Sequence, residues 1–488
     1  MVKSAKNDES FLPAALPAPD GERAQVQRLN RRIIGWCLAA IAFVYAVSGL
    51  MGLPLYGDGA YYFFKLVLDQ APEVPNLRLA AVLPQLPALA ALRLTDDVTL
   101  LRHVFSLGYA ALPVLSLIAC WLAVRRLAPE LILFPALTLV VNQVNFSAVS
   151  ELLASLYLTW PFVLAAVLYP RSRCLWAYGV LLSLVLPLLH PLTFALSFLL
   201  AGIAALNAVL RPPVRRVWTW LGAALAASGV LRLGWTLLGA NAYERSHAAP
   251  ADAAHYLLPE TPTQALLLLV TLVLGLALAV TETRRRGAIG VKWGLLDTGF
   301  LLLPAMSALI AAEFLNGEGI QLKAGMVYPA SALLMGLAVS LALDSGKGVP
   351  AARSHHRWTR YFLSCCLTVV LLLSAKSAAW WTGTRVLINT TASTEVPCIR
   401  FGPQEPYALQ WPWMTVLDNW TAPLNALVFR GPWPISLLLP GDGCAVLART
   451  GVARLGHWIR RPESRLESRF GPLRHADRFP DPASTILE

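Results

Sequence analysis

Charge is scarce in this sequence, and the scarcity decides its class. Only 14% of the 488 residues are Asp, Glu, Lys or Arg, 56% are hydrophobic, and the mean hydropathy is +0.56. Soluble globular chains carry about 25% charged residues, so the composition points to an integral membrane protein. Acidic residues are rarer than basic ones, 28 against 40, giving a formal net charge of +12. No interleaved basic face or nucleic-acid module accompanies that excess, which argues against a nucleic-acid partner. The basic residues cluster instead between apolar runs, where orientation signals belong. The seven cysteines show no CxxC spacing and the eight histidines are scattered, so nothing suggests a zinc site. A signal peptide ending in a small-residue cleavage site is also missing. Residues 1–30 read as a disordered cytoplasmic leader before a retained first span.

What the chain has in quantity is long apolar runs. Runs of about 17 to 25 residues place spans at about 33–52, 98–123, 128–143, 149–169, 175–189, 191–210, 217–238, 263–281, 295–313, 324–343 and 361–381. The fold class expected is an all-α polytopic membrane protein with about eleven transmembrane helices, which form a membrane domain over residues 31–381. Arg28, Arg31 and Arg32 precede the first span and put the N-terminus in the cytoplasm. Arg125-Arg126, Arg171 with Arg173, Arg211 with Arg215-Arg216, Arg284-Arg285-Arg286 with Lys292, and Lys347 through Arg360 then all fall in inward connections. Between the first two spans, about 53–97, lies a first outer loop. Its stretch Leu77 to Leu94, broken by Pro84 and Pro87, reads as interfacial helices, with a broken span as the alternative.

An odd span count sends residues 382–488 outward as a small periplasmic C-terminal domain, about 385–460, with a charged solvated tail. Five cysteines fall within or beside spans. Cys398 and Cys444 share the outward domain, where an oxidising compartment favours a disulfide between them.

Ionisable residues gather at the outer ends of the spans. Asp58 lies just beyond span one in Tyr56-Gly57-Asp58-Gly59-Ala60-Tyr61-Tyr62, a carboxylate between two glycines and beside three tyrosines. Arg102 and His103 begin span two, Glu151 begins span four, His190-Pro191 turns between spans five and six, Arg232 lies in the outer third of span seven, and Lys323 begins span ten ahead of Tyr328. A charge in the apolar layer costs roughly 2.5–3.5 kcal/mol on insertion scales and usually faces a cavity or partner. Each of these residues also has a plain reading as a snorkelling anchor, a satisfied histidine or a first-turn carboxylate. Together they suit group transfer at the membrane surface: Asp58 as the general base on an acceptor, and cations such as Lys323 or Arg232 on a phosphate leaving group.

Gly57-Asp58-Gly59-Ala60-Tyr61 is similar to the acidic first-loop motif of the GT-C superfamily of integral membrane glycosyltransferases. His190-Pro191 resembles an outer-corner His-Pro of some members, and Lys323 with Tyr328-Pro329 is similar to their basic, Tyr and Pro pattern on a late span. The resemblance implies a sugar transferred from a polyprenyl-phosphate donor to a lipid, glycan or protein acceptor at the periplasmic face of a bacterial inner membrane. Tyr61, Arg102, His103, Glu151, His190, Arg232, Lys323 and Tyr328 would then bind donor or acceptor, with membrane lipids around them. Some members hold a divalent cation through paired acids. Here Gly57 replaces one acid, so a cation has no assigned ligand set and would need Glu151 or another partner beside Asp58. The alternatives are a transporter or flippase of lipid-linked glycans, and a non-catalytic assembly subunit.

Overall fold

The computed structural model describes residues 20–74, 78–146, 149–239, 261–284, 294–316, 324–345, 355–401, 421–456 and 459–475. Among them, eight helices are long and apolar enough to cross a membrane: Arg28–Leu50, Val98–Val124, Glu151–Leu168, Thr193–Leu210, Pro212–Leu238, Pro262–Thr281, Leu296–Leu315 and Arg357–Ser393. Three other expected spans coincide with shorter apolar helices, Pro129–Asn142, Arg173–Leu188 and Val327–Leu343. The chain is mostly helical, consistent with an all-α polytopic membrane protein. Large apolar side chains also cover the outside of the bundle, with Trp36, Phe43 and Leu301 largely exposed, as expected where lipid replaces water around the helices.

Two expected boundaries move. Helix α1 runs Asp20–Leu50, so the leader is helical from Asp20. Glu22, Ala24, Gln25, Gln27 and Arg28 are good helix formers that extend the apolar segment toward its N-terminus; residues 1–19 lie outside the described part. The last long helix, His355–Ser393, likewise continues past 381.

The elements that matter for the site follow in order: α2 (Asp58–Asp69), α3 (Leu86–Ala91), α4 (Val98–Val124), α5 (Leu133–Asn142), α6 (Glu151–Leu168), α7 (Arg173–Val185), α8 (Thr193–Leu210) and α9 (Arg215–Leu238). Side-chain caps open several of them. Asp97 accepts from Thr99 N at 2.8 Å to start α4, and Ser150 accepts from Leu153 N to start α6. The stretch with Pro84 and Pro87 forms a 3-10 turn, Leu79–Gln85, and the short α3. It packs along α4, where Gly108 admits the Pro84 carbonyl.

The helix His355–Ser393 packs against α1 and Gly294–Leu315, while α4 bridges α1 and α6. Hydroxyls pin these contacts: Ser48 and Ser377 lie 2.7 Å apart, and Trp160 Nε1 donates to Thr138 at 3.1 Å. Inter-helix polar contacts of this kind matter in lipid, where apolar burial discriminates weakly between partners. Lys376 is a buried amine that the apolar pattern of its helix does not announce. It donates to Gln143 Oε1 at 3.2 Å and to the Asn145 carbonyl, and Gln143 donates to the Tyr45 hydroxyl at 3.0 Å. The polar residues ending α5 are thus spent bracing three helices.

The C-terminal domain is not purely helical. Strands β1 (Cys398–Phe401) and β2 (Leu437–Pro440) pair in parallel, and β3 (Val452–Arg454) pairs antiparallel with β4 (Arg460–Pro462). Cys398 and Cys444 are joined by a disulfide with Cα atoms 5.7 Å apart. The expected charged tail is structured to His475: Leu466 and Phe470 of the helix Glu463–Phe470 are buried, and Arg474 donates to the Ala392 carbonyl at 2.7 Å. The i, i+4 spacing of Leu466 and Phe470 gives this short amphipathic segment a core face despite its charge.

Candidate functional site

Asp58 is the first residue of α2, and its two glycine neighbours make that placement possible. Gly57, the residue before the helix, has φ 63° and ψ −129°, a conformation in which a side chain is strained. Gly59 lets the chain approach itself closely. A Cβ there would come within 1.7 Å of the Pro54 carbonyl oxygen in the buried turn Leu53–Leu55. The glycine pair therefore seats the start of α2 directly on the turn that ends the first span, with the Asp58 carboxyl held at the edge.

Three chain segments meet there. Tyr62, one turn after Asp58, donates its hydroxyl to Glu151 Oε1 at 2.6 Å. Arg78, at the start of the interfacial stretch, donates to Glu151 Oε2 at 3.2 Å. Glu151 is nearly sealed, with 6% exposure, and both of its oxygens are occupied. Asp58 differs: it keeps part of its surface and accepts no hydrogen bond seen among the described residues. Burial first, and then the neighbouring Glu151 charge, push its carboxyl up to about 6, against the opposing pull of Arg78. Tyr62 is held well above its ordinary value, chiefly by burial and by the same two carboxylates.

His190 faces the same cluster from the α7–α8 corner. Its Nδ1 accepts from Leu192 N at 3.2 Å, which fixes the neutral tautomer with hydrogen on Nε2. Burial, Arg78 and Arg232 push it well below the usual histidine range, so it stays neutral at pH 7. Arg232, on α9, is 3% exposed and supplies the second guanidinium. The arrangement is one available carboxylate, a neutral imidazole donor and two guanidiniums, beside a carboxylate already tied to Tyr62 and Arg78.

The other expected site residues lie elsewhere. Arg102 donates to the Val428 carbonyl at 3.3 Å and stands 4.6 Å over the Phe429 ring, and His103 lies beside it at 3.5 Å. Arg102 thereby ties the C-terminal domain to α4. Tyr61 turns toward Glu73 and Arg461, away from Asp58, and burial leads the rise of its hydroxyl to about 12. Tyr328 donates to the Leu192 carbonyl at 2.7 Å and accepts from Leu196 N at 3.1 Å, so it braces the corner behind His190. Lys323 lies outside the described residues.

Tyr62 and Arg78 are the members that reasoning along the chain passes over. The signal for Tyr62 was its i, i+4 spacing from Asp58, which puts both on one helical face. Arg78 carries no local signal, because its partner Glu151 is distant in sequence. Both Glu151 oxygens already accept hydrogen bonds, and no group of three or more His, Cys, Asp or Glu that could hold a metal ion occurs among the described residues.

Compared with known protein families, with curated proteins and with solved structures, the chain matches none.

Proposed function

We propose that the protein is a membrane glycosyltransferase of GT-C type, with eleven spans, a cytoplasmic N-terminus and a periplasmic C-terminal domain in a bacterial inner membrane. It moves a sugar from a polyprenyl-phosphate donor to a lipid, glycan or protein acceptor on the periplasmic side. The observation that carries this reading is the division of labour at the α2 N-terminus: the carboxyl of half-buried Asp58, raised to about 6, feels the Arg78 charge, and Arg78 and Arg232 both act on a neutral His190. A base works best with a pKa near the working pH. Asp58 takes the proton from the acceptor hydroxyl as that oxygen attacks the anomeric carbon. The bond from that carbon to the phosphate oxygen breaks, and the phosphate leaves with the electron pair. Arg78, Arg232 and the His190 Nε2–H then face the charge that grows on it. Glu151 holds Tyr62 and Arg78 in place and raises Asp58.

The test uses the purified protein with a panel of radiolabelled polyprenyl-phosphate sugars and native membranes as acceptor. One labelled sugar is expected to move, and Asp58→Asn should lower the rate by about 10²–10⁴, the usual contribution of a general base, with insertion and thermal stability unchanged. Undiminished transfer by the folded variant would eliminate Asp58 as the base.

A further inference from the structure

A second feature lies toward the other end of the bundle, between α4, α6 and α7. It is an open groove of about 530 Å³, bounded by Leu112 to Ala123 on α4, Tyr157 to Ala165 on α6, and Cys174 to Tyr178 on α7. Pro161 creates it. Having no N–H, Pro161 leaves the Tyr157 carbonyl without its intrahelical donor, and Ser116 supplies one from α4 at 2.6 Å. Tyr178 similarly donates to the Leu158 carbonyl at 2.5 Å. Polar atoms along the walls are thus engaged across the helices, and what faces the groove is mostly apolar.

Length and charge identify what fills it. The α4 wall, Leu112 to Ala123, is about 16 Å long at 1.5 Å per residue. One leaflet's half of the hydrocarbon core is about 15 Å, the reach of a single acyl chain. At the end away from Asp58, both walls run into exposed arginines: Arg125 and Arg126 directly follow α4, and Arg171 and Arg173 flank the groove residue Ser172. The segment after α4 sets only Glu130 against them. Basic pockets between membrane helices hold anionic lipid headgroups.

We infer that this groove is a binding site for an anionic phospholipid, one acyl chain lying between α4, α6 and α7 and the phosphate headgroup held by Arg125, Arg126, Arg171 and Arg173. The site is independent of the chemistry at Asp58.

Phospholipid carried through purification of the full chain in detergent is extracted, and its headgroup composition is compared by mass spectrometry with that of the parent membrane. Delipidated protein is then titrated with phosphatidylglycerol and with phosphatidylcholine. Anionic lipid should be enriched, and phosphatidylglycerol should bind more tightly than phosphatidylcholine. Retention should fall roughly fivefold for each arginine removed in Arg171→Gln and Arg173→Gln, both surface changes that leave the bundle intact. Ala119→Trp, which fills the groove, should expel both lipids. Bound lipid with the headgroup composition of the parent membrane would overturn the proposal. So would enriched anionic lipid that persists undiminished in the double arginine variant, since it would then be held elsewhere.

Discussion

The two ends of α2 are built from the same kinds of residue and put to opposite uses. At its far end the helix is tied down. Lys65 pairs with Asp69, Arg465 of the C-terminal domain reaches Asp69 at 2.9 Å, and Phe64 stacks on Phe470 with ring centroids 5.1 Å apart. At its start, Asp58 is left without such a partner, while Glu151 beside it absorbs the available tyrosine and arginine. A carboxylate with a strong partner is stabilised and inert; one that is half-buried and unpaired is raised in pKa and able to take a proton. The difference between structural and reactive acid is therefore set by which neighbours are already spent.

That contrast can be broken most severely at Gly59. Gly59→Ala forces a methyl into the Pro54 carbonyl, so the start of α2 must lift. A loss above about 4 kcal/mol is expected, read as failure to recover monodisperse protein by size-exclusion chromatography. Glu151→Gln probes the reactive end more gently. It removes the negative charge that raises Asp58 and frees Arg78 to act on it, and both changes favour the Asp58 carboxylate. Because Asp58 works as the ionised base, its activity is lost as pH falls through about 6. In the Gln variant, that acid limb of the pH–rate profile should move to lower pH, by on the order of one unit. An acid limb that stays in place would separate Glu151 from the tuning of Asp58. The smallest effect belongs to the tied end. Arg465→Ala removes a half-exposed ion pair worth at most about 1 kcal/mol, so thermal unfolding should shift by only ~2 °C. Activity should be untouched.

Several features were legible along the chain because their causes are local. Long apolar runs announce helices that suit a bilayer, and the two prolines after Leu77 announce a broken interfacial segment, whereas the helix Asp58–Asp69 stands where the sequence reads as an outer loop. Glu151, His190 and Arg232 could be chosen as charges at span ends, and the structure pairs Glu151 with Arg78 and sets both Arg78 and Arg232 to act on His190. Arg102 satisfied the same criterion equally well and proved to be a clamp on Val428 and Phe429. Depth in a membrane says how far along its axis a helix puts a residue, but not the direction in which the residue faces.

The sequence by itself determined the apolar segments, the conformation required at Gly57, and the placement of Cys398 and Cys444 in one non-spanning region, since each depends on near neighbours or composition. The tertiary structure decided which carboxylate is spent and which is left available. That choice depends on Tyr62 and Arg78 meeting Glu151 from separate segments, and hydrogen bonds and charge interactions act over a few ångströms of space irrespective of distance along the chain.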